Sequence, residues 1–328
     1  MTAVTADLIA FVLLLAITAY STAGGVDFGA GIWDLFAGNS AKGKEARRLI
    51  DHAMAPVWEV NNVWLVLGIV VTWTGFPTLF QSVFSVLYPL YALALLGLIL
   101  RGAFFAFRHI AVDPRAHRAA DIVFGVSSLL TPFFFAASLG AVAAGGQLVI
   151  SPMSIAFGLV SLAATAFSGA SFLVGDARRY GAADLVDYFR RRAVAAAIAL
   201  IVVGSAALVV IAFQQPDLLK EMLAGKGLPF ALATMVLTPL AAFLIWRRVY
   251  RWYRVLTVGA VGSMVFAWAF AQSPYLIPGR LTIDQAIAPV STQVLLIIVT
   301  VVLVLVIVPA MGALYYLDQR GALEPPGA

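Results

Sequence analysis

The chain has 328 residues, 62% apolar and only 11% charged, and its mean hydropathy of +0.97 lies outside the range of soluble globular proteins. It has no cysteine, which excludes disulfides, thiolate metal sites and iron–sulfur clusters. Its net charge of +5 collects at the ends of apolar runs and forms no basic patch interleaved with aromatics, so a nucleic-acid partner has no support.

A hydrocarbon core of about 30 Å takes roughly 20 apolar residues per helix, and about nine such runs follow one another along the chain. The first, near 7–25, has no basic residue before it and carries Asp7, so it reads as a retained helix and not as a cleaved signal. The second, 57–77, opens behind Pro56, a residue favoured in the first helical turn. The third covers 82–107, and the fourth covers 121–144 with Asp121 read as its N-cap. The fifth, 152–174, stands behind the cap Ser151. The last four are placed at 193–214, 228–246, 252–273 and 290–317. All are continuous and rich in Leu, Ala and Val, unlike the short alternating segments of a membrane barrel. The expected fold is an all-α integral membrane protein, a single polytopic domain over 1–328, with helices 1–4 at about 7–144, helices 5–8 at about 152–273 and helix 9 at about 290–317.

Basic residues set an expected orientation. Connections after the odd-numbered runs hold Lys42, Lys44, Arg47 and Arg48, then Arg108, Arg115 and Arg118, then Arg178, Arg179 and Arg190 to Arg192, then Arg247, Arg248, Arg251 and Arg254. The opposite connections hold Lys220, Lys226 and Arg280. The positive-inside rule then places the N-terminus outside and the C-terminus in the cytoplasm.

Ionisable residues inside such runs are costly and are functional candidates by default. Asp27 lies roughly 30 Å along the first helix at a rise of about 1.5 Å per residue, at the cytoplasmic edge of the core. Glu59 falls in the first turn of the second helix, and the third carries Arg101 to a similar depth. Three charges from three helices thus share one level. If their faces meet, Arg101 offsets the desolvation of both acids, and the cluster suits a proton mouth facing the cytoplasm. The competing reading is a purely structural lock between helices, or side chains that snorkel to water.

Other features are weaker. His52, His109 and His117 fall at helix ends, where no pair is placed to ligate a haem across a bundle. Asp34 and Asp51 flank a short basic connection and read as solvated. Gly25 and Gly29 permit close helix approach. Trp33, Trp246, Trp252 and Tyr253 read as interfacial anchors. Pro132 frees a carbonyl inside its helix.

Four blocks in the first third carry a resemblance: Gly25-Val26-Asp27-Phe28-Gly29-Ala30-Gly31, then Ala55-Pro56-Val57-Trp58-Glu59-Val60-Asn61-Asn62-Val63-Trp64-Leu65 behind Ile50-Asp51, then Phe76-Pro77, then Leu98-Ile99-Leu100-Arg101-Gly102-Ala103-Phe104-Phe105-Ala106-Phe107-Arg108. With Pro274-Tyr275-Leu276-Ile277-Pro278 and Leu281-Thr282-Ile283 near the end, these blocks resemble subunit II of the cytochrome bd quinol oxidases. The middle of the chain matches mainly in helix number and loop charge.

The resemblance implies two four-helix bundles plus one peripheral helix, in a prokaryotic cytoplasmic membrane. It implies a partner, subunit I, which carries two b-type haems, a d-type haem and the quinol-oxidising loop and reduces dioxygen to water. It leaves this chain haem-free and without catalytic or metal-binding residues of its own, and leaves open a bound quinone or lipid and a small accessory single-helix subunit. By the same matching Glu59 and Asp27 belong to a proton pathway, with Trp58, Asn61 and Arg101 in support. The chain departs from the family pattern at Gly24 and Ala106, where carboxylates are common, and by Glu59 where some members have Asp. A secondary transporter is the rival from another class, but its site would lie at the midplane between inverted repeats.

Overall fold

In hydrocarbon every backbone N–H and C=O needs an internal partner, so apolar runs of this length fold as helices. The computed structural model describes the backbone of residues 2–38, 40–54, 58–110 and 113–319, with side chains for 4–38, 40–53, 61–108, 110, 113–307, 309–310, 312–313 and 316–317.

The first run is one long rod, α1 (Thr2–Ala19), a π-helical turn at Tyr20–Gly24 and α2 (Gly25–Leu35). The short polar helix α3 (Ala41–Met54) follows, then α4 (Trp58–Val70) with a second π turn, Val71–Gly75. The hairpin α5 (Pro77–Ile110) and α6 (Pro114–Ala143) closes the first bundle. The second is built from α7 (Pro152–Arg179), α8 (Ala183–Gln214), the short α9 (Pro216–Ala224), α10 (Leu228–Trp246) and α11 (Tyr253–Gln272). A small hairpin, β1 (Tyr275–Ile277) and β2 (Leu281–Thr282), and one turn of helix, α12 (Ile283–Ala286), lead to the peripheral α13 (Val290–Gln319). Among the described residues, 8 helices are long and apolar enough to cross a membrane. The second expected run corresponds to α4, of 13 residues, with the π turn of 5 that continues it. The architecture is the expected one: α1/α2, α4, α5 and α6 form one bundle, α7, α8, α10 and α11 the other, and α13 packs on α1 and the second π turn.

The first helix runs ten residues beyond its expected end at 25, which brings Asp27 and Asp34 inside it. Packing explains the extension. A Cβ on Gly29 would stand 2.1 Å from the Thr165 carbonyl oxygen and 2.8 Å from Gly169 Cα, so α2 and α7 touch backbone to backbone. Trp33 adds an Nε1 hydrogen bond of 2.8 Å to the Ala166 carbonyl and so ties the two bundles together as well as lying near an interface. Both π turns contain threonines whose hydroxyls donate to carbonyls four residues back, Thr22 to Thr18 at 2.9 Å and Thr72 to Gly68 at 2.7 Å. Such back-bonding competes with the regular ladder and accompanies its local widening.

The fourth helix begins at Pro114, with Asp113 as its cap, accepting from the Arg115 amide at 3.2 Å. Asp121 is therefore two turns inside α6 and not its cap. Proline at the first helical position with an extended Asp before it makes the stronger start signal. Ser151 does cap α7, in a reciprocal box with Ser154 at 3.0 and 2.7 Å. We expect Ser151→Ala to lower stability by about 1 kcal/mol, seen as a lower thermal midpoint of the purified protein in detergent.

Candidate functional site

The π turn ends three residues before Asp27, which points towards α5 and α6 and is 8% exposed. Arg101, on α5 and 2% exposed, reaches it from the neighbouring helix. Its Nη2 donates to Asp27 Oδ1 at 2.8 Å and to the Asp27 carbonyl at 3.1 Å. Nε donates to the Ser128 hydroxyl at 3.1 Å, and that hydroxyl donates to the Phe124 carbonyl at 2.8 Å. The guanidinium also lies over the rings of Phe28 at 4.8 Å and Phe124 at 5.0 Å. Charge-assisted hydrogen bonds and aromatic faces together compensate a cation buried this deeply. The faces of the first and third helices therefore meet at Asp27 and Arg101.

Asn61 approaches from α4. Its Nδ2 donates to the Ala23 carbonyl at 3.3 Å, inside the π turn of the first helix. Its buried Oδ1 and the buried hydroxyl of Tyr20 have no hydrogen-bond partner among the described residues. Unpaired polar atoms of this kind, beside a buried carboxylate, are places where ordered water completes the bonding. The side chains of Glu59 and Trp58 lie outside the described residues.

A second charged level repeats the first, seven residues on in both helices. Arg108 Nη1 meets Asp34 Oδ2 at 2.9 Å, and both side chains are almost fully buried. Seven residues are about two helical turns, so the two pairs are separated by roughly 10 Å along the axis. Arg108 also donates to Asp51 of α3 and lies 3.9 Å from Asp121 of α6. Arg47 Nε stands 3.4 Å from Asp34 Oδ1, and His117 Nε2 stands 3.8 Å from Asp121. The Phe124 ring sits under both guanidiniums, 4.3 Å from that of Arg108.

This level corrects three expectations. Asp34 is 1% exposed and Asp51 is ion-paired, so neither is a simply solvated flank of a basic loop. Arg108, expected as a loop anchor, is the hub of the cluster at 4% exposure. The reason is the length of α2 and α5, which carries both residues past the expected helix ends and under α3. The signal was present as a shared heptad, Asp27 to Asp34 and Arg101 to Arg108. His52 is exposed, with its ring edge-on to Tyr180 at 5.0 Å. Among the described residues no three His, Asp or Glu side chains gather as metal ligands.

Chemically, the arrangement presents buried carboxylates with fixed counterions at one end of the first bundle. Buried carboxylates are groups that can hold or pass protons.

A family model described as cytochrome bd terminal oxidase subunit II matches residues 5–318. Two proteins of Bacillus subtilis (strain 168) are similar: cytochrome bd ubiquinol oxidase subunit 2, 31% identical over 109 residues, and a putative cytochrome bd menaquinol oxidase subunit II, 29% identical over 113 residues. The first match covers 33% of this chain and 31% of the relative, the second 34% and 32%, so each spans about a third of the relative's length. The solved bd oxidase of Geobacillus thermodenitrificans contains a chain of the same fold, with a TM-score of 0.76, 21% identity, and coverage of 98% of this chain and 99% of that one.

Proposed function

Because the chain belongs to the cytochrome bd terminal oxidase subunit II family, we propose that it is the haem-free second subunit of a quinol:oxygen oxidoreductase. It stabilises a haem-bearing subunit I and conducts protons from the cytoplasm towards the site where dioxygen is reduced to water. Subunit I holds the haems and oxidises the quinol. The arginine-rich end of the bundles faces the cytoplasm, in line with the positive-inside rule.

The observation that carries this reading is the buried pair Asp27–Arg101 beside an unpaired amide oxygen of Asn61. Asn61 stands two residues after Glu59 on α4, so the start of that helix leads to the Asp27 level. Glu59 takes up the proton in this scheme, and Asp27 holds or relays it. Arg101 fixes the position and charge of Asp27, Asn61 ties α4 to the π turn, and Trp58 flanks the mouth.

The test uses the whole complex, purified through this chain and reconstituted in liposomes. Glu59→Gln is expected to lower quinol-driven oxygen consumption and proton uptake by about 10², with the haem absorbance of the complex unchanged. Full turnover and uptake in an assembled Glu59→Gln complex would remove Glu59 from the path.

A further inference from the structure

From the second charged level we infer that Asp34 is a proton-loading site, filled from the arginine-rich surface through Asp51, Asp121 and His117. This rests on the reading of the chain as a proton conductor, and it adds a second intake beside Glu59.

Three carboxylates, from α2, α3 and α6, converge on the single guanidinium of Arg108. Arg47 adds a second guanidinium, 3.4 Å from Asp34, yet carboxylates set this close still repel one another, and a proton joining the cluster relieves that repulsion. By contrast, Asp27 and Arg101 make a one-to-one pair. Exposure is graded along the cluster: the side chain of His117 is 51% exposed, Asp51 37%, Asp121 16% and Asp34 1%. A proton arriving from water therefore meets titratable groups in order of increasing burial, with Asp34 as the innermost.

A second observation points into the same centre. Arg108 Nε is buried with no hydrogen-bond partner among the described residues, and the buried Asp34 Oδ1 and Arg47 Nε meet only as an ion pair at 3.4 Å, without a hydrogen bond. Arg108 Nε is left as a donor beside a carboxylate oxygen held only by a long ion pair, the setting in which an ordered water completes the bonding, and such a water carries a proton to Asp34. Phe124, fully buried under both guanidiniums, divides this centre from Asp27. Asp34 therefore fills as a separate store, and its proton passes to the Asp27 level when the ring turns aside.

The experiment compares Asp34→Asn, Glu59→Gln and the double variant in the assembled complex. Asp34→Asn is expected to lower turnover and proton uptake roughly twofold, since a parallel intake remains, and the double variant by about 10² or more. In the infrared difference spectrum between reduced and oxidised complex, a protonated-carboxyl band is lost in Asp34→Asn and kept in Asp51→Asn. An unchanged band and unchanged uptake in Asp34→Asn, with Glu59→Gln slowed, overturn the inference and leave the function standing. Full turnover in Asp27→Asn, Glu59→Gln and the double variant overturns the function itself. Should Asp34→Asn not accumulate haem, two further variants decide. Asp34→Asn with Arg108→Gln removes both charges of the pair, and Asp121→Asn leaves the pair whole. Uptake unchanged in both of these refutes the assignment.

Discussion

Replacing Arg101 with glutamine is expected to cost about 3–5 kcal/mol, the scale of stranding one partner of a buried ion pair. The substitution leaves Asp27, 8% exposed, without its counterion, and removes the donor that holds both its carboxylate and its carbonyl. It also takes the cation from between Phe28 and Phe124. The measurement is the amount of haem-bearing complex recovered from membranes through this chain, together with its thermal midpoint. Adding Asp27→Asn to Arg101→Gln should recover much of the loss, because a neutral pair leaves no charge in the interior. Stability equal to the parent in Arg101→Gln alone would show that the pair does not lock the first and third spans.

The second large effect is expected at the crossing of α2 and α7. Gly169→Ala places a methyl group 2.4 Å from the Gly29 carbonyl carbon and 2.6 Å from its Cα. Both obstacles are backbone, so no side-chain rotation relieves them, and the two helices must separate. Overpacking of this kind costs about 3 kcal/mol, towards the upper end of its usual range. Separation would also stretch the Trp33 to Ala166 hydrogen bond that joins the bundles. Gly25→Ala is the control, since a Cβ there meets nothing within 4 Å. It should raise stability slightly, by up to about 1 kcal/mol, because alanine is the better helix former. Equal losses from Gly25→Ala and Gly169→Ala in thermal unfolding would refute the close crossing.

Much of the architecture is legible in the sequence. The spans at 228–246 and 252–273 fall within a residue of α10 and α11, because Trp and Arg bound them on one side and Gly, Ser and Pro on the other. Ser151-Pro152 marked the start of α7 for a local reason, a side-chain cap followed by a residue with no amide to satisfy. Asp27, Glu59 and Arg101 were legible as charges at one depth, because each lies at a similar distance along its own apolar run. The first, third and fourth helices extend beyond the ends that hydropathy gives them. Hydropathy falls where polar residues begin, yet α2, α5 and α6 continue through Asp34, Arg108 and Asp121, whose charges are satisfied by one another.

The composition and order of residues alone determined that this chain is a multi-pass helical membrane protein. Apolar runs of that length have no other way to satisfy their backbone in lipid. Local spacing likewise determined the α7 cap and the candidates Asp27, Glu59 and Arg101. Only the tertiary structure decided which charges meet. The π turn resets the phase of the first helix ahead of Asp27, the contact of Gly29 with Gly169 carries α2 past its apparent end, and α3 folds back to bring Arg47 and Asp51 over Asp34. Each is a matter of helix rotation and close approach between segments distant in the chain, and no window of sequence contains both sides of such a contact.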